Sequence, residues 1–301
     1  PVAVLGVAVP AVGLPVRPRL AHAELPPVSP AGGTQRPRLI VTDLDGTFLA
    51  PDRRVSDTNL AAARRAAELG IPFVVATGRP VRWLDVLDDL AEAHSQVIVS
   101  NGGAVFDLAR RSVVQAFPVD PRVALAVTAD LRAAVPGITF GFETPVGFGC
   151  EPDCPTRQRG EPGVVQGSVE DLLRGLGPVI KVLGFHPDLG SDDLCDLAES
   201  VIASRLTLTY AMVSASYGML ELTAPGVTKA STLALLCAEL GVDAADVVAF
   251  GDMPNDRAML SWAGRGFVVA NGHHSLLRGG FVVVPGNDED GVGRTVLDLL
   301  G

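Results

Sequence analysis

The chain alternates between short apolar runs and segments with helical periodicity, and this alternation restricts the fold more than any other feature. Runs such as LIVT, FVVA, QVIV, VVAF and GFVVA are rich in β-branched residues and lack polar alternation. Strands of this kind are buried on both faces, as in a parallel sheet covered by helices. The sequence therefore predicts an α/β fold with a doubly wound, mostly parallel sheet.

Between these runs we predict helices over residues 57–69, 81–93, 230–240 and around 256–263. The alternation changes between residues 117 and 214, where GITFGFETPVGFG and VIKVLGF are accompanied by helical patterns near residues 123–134 and 192–203. This change indicates a small α+β domain inserted into the sheet domain. We expect a core of residues 37–116 and 215–301, an inserted domain at 117–214, and a disordered extension at 1–36, which is rich in Pro, Ala and Gly.

Composition argues against several classes of partner. The formal net charge of −10 disfavours nucleic acid or an anionic membrane as the main partner. No internal segment offers the roughly 20 successive apolar residues that a bilayer span requires. The four cysteines lack the spacing of a zinc site, so we expect reduced thiols in a cytoplasmic protein.

The first apolar run is followed by two aspartates, Asp43 and Asp45, in the stretch DLDGT. Side chains in a strand alternate faces, so in extended chain these two would point the same way. Their repulsion amounts to about 3 kcal/mol at a separation of about 6 Å and an effective dielectric constant of about 20. The pair therefore requires a cation or a proton nearby, unless the Asp-Gly step simply forms a hairpin turn.

Polar residues also follow other predicted strands. Thr77, Gly78 and Arg79 come after FVVA, and the stretch GDMPND comes after VVAF. Lys229 opens a predicted helix, where a positive charge is disfavoured unless an anion lies close by. Ligands of open parallel sheets bind at the carboxyl ends of the strands, which is where these residues fall. Each stretch also has a purely structural interpretation, as a helix start, a helix cap or an exposed lysine.

Taken together, DLDGT, TGR, a lysine that opens a helix and GDMPND resemble, in type and order, the four motifs of the haloacid-dehalogenase-like (HAD) hydrolases. The resemblance covers roughly residues 37–301. An insertion between the second and third motifs and the later stretch NDEDGVGRTV are similar to the Cof-type subgroup, which carries an α/β cap at that point.

This resemblance implies a phosphatase that forms an aspartyl-phosphate. Asp43 would be the nucleophile, and Asp45 would protonate the leaving alcohol and later activate water. A carboxylate approaches a phosphate dianion only if charge is neutralised, and Mg²⁺ suits that role. By similarity the metal ligands would be Asp43, the main-chain carbonyl of Asp45 and Asp252, with Asp256 in support.

The resemblance also implies a phosphate pocket and a substrate class. Thr77, Lys229 and Asn255, with backbone N–H groups around Leu44 and Gly78, would hold the transferred oxygens. The cap would close over the site and select a small phosphorylated metabolite, such as a sugar phosphate or a phosphorylated cofactor. A phosphomutase, a phosphate-accepting signalling receiver and a non-catalytic metabolite-binding protein are the alternatives.

Overall fold

The structure is a computed structural model that describes residues 36–91, 96–155, 157–161, 163–210 and 217–301. The predicted extension at 1–36 therefore lies outside the described residues, apart from Arg36. The chain divides into two compact units. The core unit contains residues 36–79, Trp83–Ser112 and Thr228–Gly301, and the inserted unit contains Pro80–Arg82 and Val113–Val227. Among the described helices, none has the length and apolar character needed to cross a bilayer.

The two units are built from short strands and helices. The strands are β1 (Leu39–Thr42), β2 (Phe73–Ala76), β3 (Gln96–Val99), β4 (Ala104–Asp107), β5 (Ser112–Ala116), β6 (Thr139–Glu143), β7 (Phe148–Cys150), β8 (Val165–Gln166), β9 (Lys181–His186), β10 (Thr207–Tyr210), β11 (Gly218–Thr223), β12 (Val247–Gly251), β13 (Arg265–Val269) and β14 (Val282–Val284). The α-helices are α1 (Asp57–Glu68), α2 (Pro121–Ala134), α3 (Val169–Gly175), α4 (Ser191–Ile202), α5 (Lys229–Leu240), α6 (Arg257–Trp262), α7 (His274–Leu277) and α8 (Gly291–Leu300).

The described strands that lie wholly within the core unit belong to one sheet, in the order β14-β13-β12-β1-β2-β3-β4. Neighbouring strands are parallel from β14 to β3, and only the pairing of β3 with β4 is antiparallel. All residues of β1, β2 and β12 are buried, so both faces of the sheet centre are covered. Helix α1 packs against α8, and α5 packs against α6. The expected α/β fold with a mostly parallel sheet is confirmed.

The register of the central strands brings several loops to one edge of the sheet. Thr42, the last residue of β1, is paired with Phe250 of β12 and with Val75 of β2. The three strands therefore end at nearly the same level. As a result, the chain segments that follow β1, β2 and β12 leave the sheet side by side.

The predicted helix over 81–93 is wrong in its described part. Residues Val81–Trp83 and Asp85–Leu90 form two short 3₁₀ turns instead. The buried residues Leu84, Leu87 and Leu90 recur every three positions. That spacing matches the three residues per turn of a 3₁₀-helix and not the 3.6 of an α-helix.

The inserted unit contains a second sheet with the order β10-β11-β9-β6-β7-β8. Its pairings are antiparallel except for that of β7 with β8. Helices α2 and α4 pack against each other, and α4 also packs on β10 and β11. A hydrophobic cluster that includes Phe148, Leu183 and Phe185 forms part of its core.

Candidate active site

Asp43 and Lys229 meet in the interior of the core unit, although 186 positions separate them in the chain. Asp43 directly follows β1, and its N–H donates to the carbonyl of Phe250 on the adjacent strand. Lys229 is the first residue of α5, which Thr228 and Ser231 cap reciprocally. The Lys229 ammonium contacts Asp43 Oδ1 directly, and both side chains are almost fully buried. A lysine at the positive end of a helix is thus compensated by an anion.

Asp256 is the second anion beside this lysine. It is fully buried, and its Oδ1 accepts a hydrogen bond from Lys229 Nζ at 2.8 Å. Its other oxygen, Oδ2, accepts the backbone N–H groups of Asp252 and Met253 at 3.2 and 3.1 Å. Both carboxylate oxygens are therefore engaged, which fits a residue that orients its neighbours more than one that binds a ligand itself.

Asp252 completes the acidic group. It follows β12, and its Oδ1 accepts the hydroxyl of Thr47 at 2.8 Å. The chain at Gly46 passes very close to it, because a Cβ at that position would lie 2.5 Å from Asp252 Oδ2. Gly46 also has a φ of +81°, which a residue with a side chain rarely adopts. The glycine of DLDGT therefore has a steric reason as well as a conformational one.

The electrostatics of this group are unbalanced towards negative charge. Burial raises the pKa of Asp43 well above its ordinary range, although Lys229 acts in the opposite direction. Burial, together with the nearby Asp256, raises the pKa of Asp252 to about 7. Burial by itself lowers the pKa of Lys229, but the carboxylates of Asp256 and Asp43 more than offset this and raise it above its ordinary value. Within the part of the chain that the structure describes, the three buried carboxylates thus depend on one nearby cation, Lys229.

The three aspartates fit a divalent metal ion. Carboxylate oxygens of Asp43, Asp252 and Asp256, one from each residue, all lie within 4.8 Å of one another. A hard cation such as Mg²⁺ prefers oxygen ligands of this kind. A metal would also supply positive charge beside Asp43 and Asp252, whose pKa values are raised chiefly by burial. The remaining predicted ligand, the main-chain carbonyl of Asp45, stays a prediction.

Asp45 lies apart from this acidic group and pairs with Arg79. The guanidinium donates from Nε to Asp45 Oδ2 at 2.7 Å and from Nη2 to Oδ1 at 2.6 Å. This is the bidentate geometry that arginine forms with a carboxylate. The Arg79 side chain is 17% exposed and the Asp45 side chain is 24% exposed, so the pair is accessible to solvent while the neighbouring aspartates are not.

The predicted phosphate-binding residues also lie at this edge of the sheet. Thr77 follows β2, is almost fully buried, and accepts the N–H of Arg79 with its hydroxyl at 3.1 Å. Leu44 is fully buried, and its carbonyl accepts the N–H of Leu49 in the turn after Asp43. Gly78 lies in the loop after Thr77, and Asn255 lies in the turn between β12 and α6. Their roles toward phosphate stay predictions.

Two residues with clear contacts to the predicted site received no role from the sequence. Thr47 is fully buried and binds Asp252, and Arg79 binds Asp45. Both belong to stretches that the sequence had singled out, DLDGT and TGR. Their partners lie 205 and 34 positions away, so nothing local in the sequence identifies them.

Comparison with known proteins defines the class. The sequence profile of the haloacid dehalogenase-like hydrolase family matches residues 40–296. The chain belongs to this family, as the motifs DLDGT, TGR and GDMPND led us to expect. One relative, the HMP-PP phosphatase of Enterobacter sp. (strain 638), is 30% identical in an alignment of 251 residues that covers 80% of this chain and 86% of the relative. The predicted enzyme class, a hydrolase of phosphoric monoesters, is confirmed.

Solved structures agree on the fold. Phosphatase BT1666 from Bacteroides thetaiotaomicron matches with a TM-score of 0.74 and 20% identity over 90% of this chain and 98% of its own. BT4131, a sugar phosphatase of HAD subclass IIB, matches with a TM-score of 0.72 and 18% identity over 87% of this chain and 98% of its own. At these identities the likeness concerns the fold.

Proposed function

We propose that the protein is a Mg²⁺-dependent phosphatase that hydrolyses small phosphomonoesters through an aspartyl-phosphate on Asp43. The observation that carries this proposal is the convergence of Asp43, Lys229, Asp252 and Asp256 from three distant segments of the chain. A buried group of three carboxylates and one lysine costs folding free energy, and such groups concentrate at functional sites. Phosphoryl transfer requires such a group, because it combines an anionic nucleophile with a cationic surrounding.

In the first step, a carboxylate oxygen of Asp43 attacks phosphorus and the bond from phosphorus to the leaving alkoxide breaks. Asp45, once protonated, gives its proton to that alkoxide. In the second step, Asp45 takes a proton from water, and the resulting hydroxide attacks the phosphorus of the aspartyl-phosphate. The acyl phosphate bond breaks, which releases inorganic phosphate and restores Asp43.

Lys229 and Arg79 have separate tasks in this scheme. Lys229 contacts Asp43 and therefore lies where negative charge gathers during the attack, so it stabilises the transferred oxygens. Arg79 holds both oxygens of Asp45 and sets the direction of that carboxylate. This ion pair must open before Asp45 delivers a proton, because both of its carboxylate oxygens accept hydrogen bonds from Arg79 and neither is free to face the leaving group.

The metal would be held by Asp43 and Asp252, with the main-chain carbonyl of Asp45 as a further ligand and Asp256 in support. When bound, Mg²⁺ supplies the positive charge that lets a carboxylate approach a phosphate dianion. Thr47 orients Asp252 for this task through its hydroxyl hydrogen bond of 2.8 Å. Asp256 orients the loop at Asp252 by accepting its N–H.

We propose that the inserted unit acts as the cap that selects the substrate. The relatives support small phosphorylated metabolites as the substrate class, because one is named for HMP-PP and a fold neighbour is a sugar phosphatase. A panel of sugar phosphates, phosphorylated cofactors and HMP-PP, assayed with Mg²⁺, would rank the candidates.

The test of the activity begins with p-nitrophenyl phosphate. We expect release of phosphate with Mg²⁺, none after chelation, and none from Asp43→Asn, which keeps the shape of the side chain but lacks the nucleophilic charge. An Asp43→Asn variant with full turnover would exclude Asp43 as the nucleophile. Conversion of a hexose 1-phosphate into a 6-phosphate without release of phosphate would favour the phosphomutase alternative.

A further inference from the structure

The turn Ser100–Gly102, which follows β3, has an unusual backbone. Its three residues have φ values of +51°, +56° and +102° in succession. Ser100 and Asn101 carry side chains, for which this left-handed region costs roughly 1–2 kcal/mol per residue, with asparagine tolerating it better than most. Such strain persists only where the surrounding structure holds the backbone in place, and it concentrates at functional sites. We call this segment the SNG turn.

The SNG turn is tied to the loop after β2. The N–H of Asn101 donates to the carbonyl of Thr77, and the N–H of Ser100 donates to the carbonyl of Arg79, both at 3.0 Å. Asn101 Oδ1 also lies 3.2 Å from the position that a Cβ on Gly78 would occupy. The turn therefore touches all three residues of the TGR stretch.

The same turn also touches the start of α5. A Cβ on Gly102 would lie 2.3 Å from the carbonyl oxygen of Thr228, so only glycine fits there. The hydroxyl of Thr232 donates to the carbonyl of Gly102 at 2.8 Å. Thr228 caps the helix that begins with Lys229. Contact with the SNG turn thus fixes the point from which the Lys229 side chain enters the site.

The side chain of Asn101 reaches the loop after β12 as well. Asn101 is almost fully buried, and its Oδ1 accepts a long hydrogen bond of 3.4 Å from Asn255 Nδ2. Asn255 Oδ1 is buried and has no hydrogen-bond partner among the described residues. One side chain therefore lies against both Gly78 and Asn255, which come from two of the stretches predicted to bind phosphate.

We propose that Asn101 is a positioning residue of the phosphate pocket. It acts by holding the Gly78 loop and the Asn255 amide in fixed positions relative to each other. This inference rests on the proposed function, and it assigns Asn101 no contact with the reacting atoms. A side chain that orients two phosphate-binding loops affects the binding of a phosphate group more than the chemical step.

The test compares Asn101→Gly with the wild type and with Arg111→Gly. Glycine keeps the left-handed backbone at residue 101 and removes only the side chain. Arg111 is an exposed residue of the same unit with a φ of +50°, so its replacement introduces glycine at a similar backbone position away from the site. We expect Asn101→Gly to raise the KM for p-nitrophenyl phosphate and the inhibition constant of inorganic phosphate together, by about tenfold, which corresponds to about 1.4 kcal/mol.

In the same comparison kcat should change less than KM, and Arg111→Gly should leave both constants unchanged. A second variant, Asn101→Asp, keeps the size of the side chain and places a negative charge beside Gly78. It should raise the phosphate inhibition constant at least as much as the glycine variant does. Unchanged constants in both Asn101 variants would overturn the inference.

A double-mutant cycle with Asn255→Ala separates positioning from general destabilisation. If Asn101 acts through Asn255, then Asn101→Gly should cost clearly less in kcat/KM when Asn255 is already alanine. Strictly additive losses would contradict this mechanism.

A readout without turnover keeps this inference distinct from the proposed function. Inorganic phosphate with Mg²⁺ should raise the Tm of the wild type, and Asn101→Gly should lose most of that rise. An inactive wild type that phosphate still protects would refute the proposed function alone. Full protection of Asn101→Gly would refute the role of Asn101, and a wild type that phosphate does not protect would refute both.

Discussion

Replacing Lys229 by methionine removes the cation that, among the described residues, contacts both Asp43 and Asp256. The gross attraction at the 2.8 Å separation of Lys229 and Asp256 is about 6 kcal/mol at an effective dielectric constant of about 20. Dehydration of the charges offsets much of this value. Removal of one partner from a buried ion pair typically costs about 3–5 kcal/mol, because the other charge stays buried without compensation. We expect a loss of this size in the free energy of unfolding of metal-free Lys229→Met at pH 8.

The loss should become smaller in acid. Lys229 lowers the pKa of Asp43 and of Asp252, so without it both carboxyl groups hold their protons more tightly in the folded state. The variant then carries more bound protons than the wild type, and its stability falls more steeply as the pH rises. The difference between the two proteins is therefore largest at pH 8 and smaller at pH 5.5. Urea unfolding in the presence of a chelator at both pH values measures it.

Lys181→Met is the matched control. Lys181 is equally buried, and it pairs with Glu221 at 2.7 Å in the inserted unit. The Lys181→Met substitution should also destabilise the protein. Mg²⁺ should nevertheless stabilise this variant as much as it stabilises the wild type. Lys229→Met should gain more from Mg²⁺ than the wild type does, because its acidic group lacks the competing cation, and its kcat should fall by about 10²–10³-fold. Equal stabilities of Lys229→Met and the wild type at pH 8, or retained turnover, would refute this account of the site.

Two further predictions concern the acidic group. The pKa of Asp252, about 7 in the metal-free protein, lies above its value in the unfolded chain. The folded protein therefore binds the Asp252 proton more tightly than the unfolded chain does. The stability that this proton contributes is complete below about pH 4 and is lost as the pH rises through 7, by at most about 1.4 kcal/mol per pH unit. Mg²⁺ competes with that proton, so the rise in Tm that Mg²⁺ produces should be larger at pH 8 than at pH 5, and a rise independent of pH would contradict the assignment. Gly46→Ala should lower stability by about 1–3 kcal/mol and weaken Mg²⁺ binding, because its Cβ would meet Asp252. The control, Gly70→Ala, has a similar φ of +67° in open space, so it should show the strain without the effect on Mg²⁺.

Much of the core unit was predictable because the signals are local. The apolar runs LIVT and FVVA became β1 and β2, and the helix predicted over 57–69 ends one residue earlier, at Glu68. The prediction of one α-helix over 81–93 was wrong because its buried residues Leu84, Leu87 and Leu90 recur every three positions, without the alternating steps of three and four residues that an α-helix requires.

The sequence by itself determined which residue types stand at the ends of the strands, since motifs such as DLDGT and GDMPND are short and local. Only the tertiary structure decided which of them meet. Lys229 contacts Asp43 and Asp256, and Thr47 binds Asp252. Asp45 forms an ion pair with Arg79. The physical reason is that parallel strands distant in the chain end at one edge of the sheet, and their register sets which side chains lie within bonding distance.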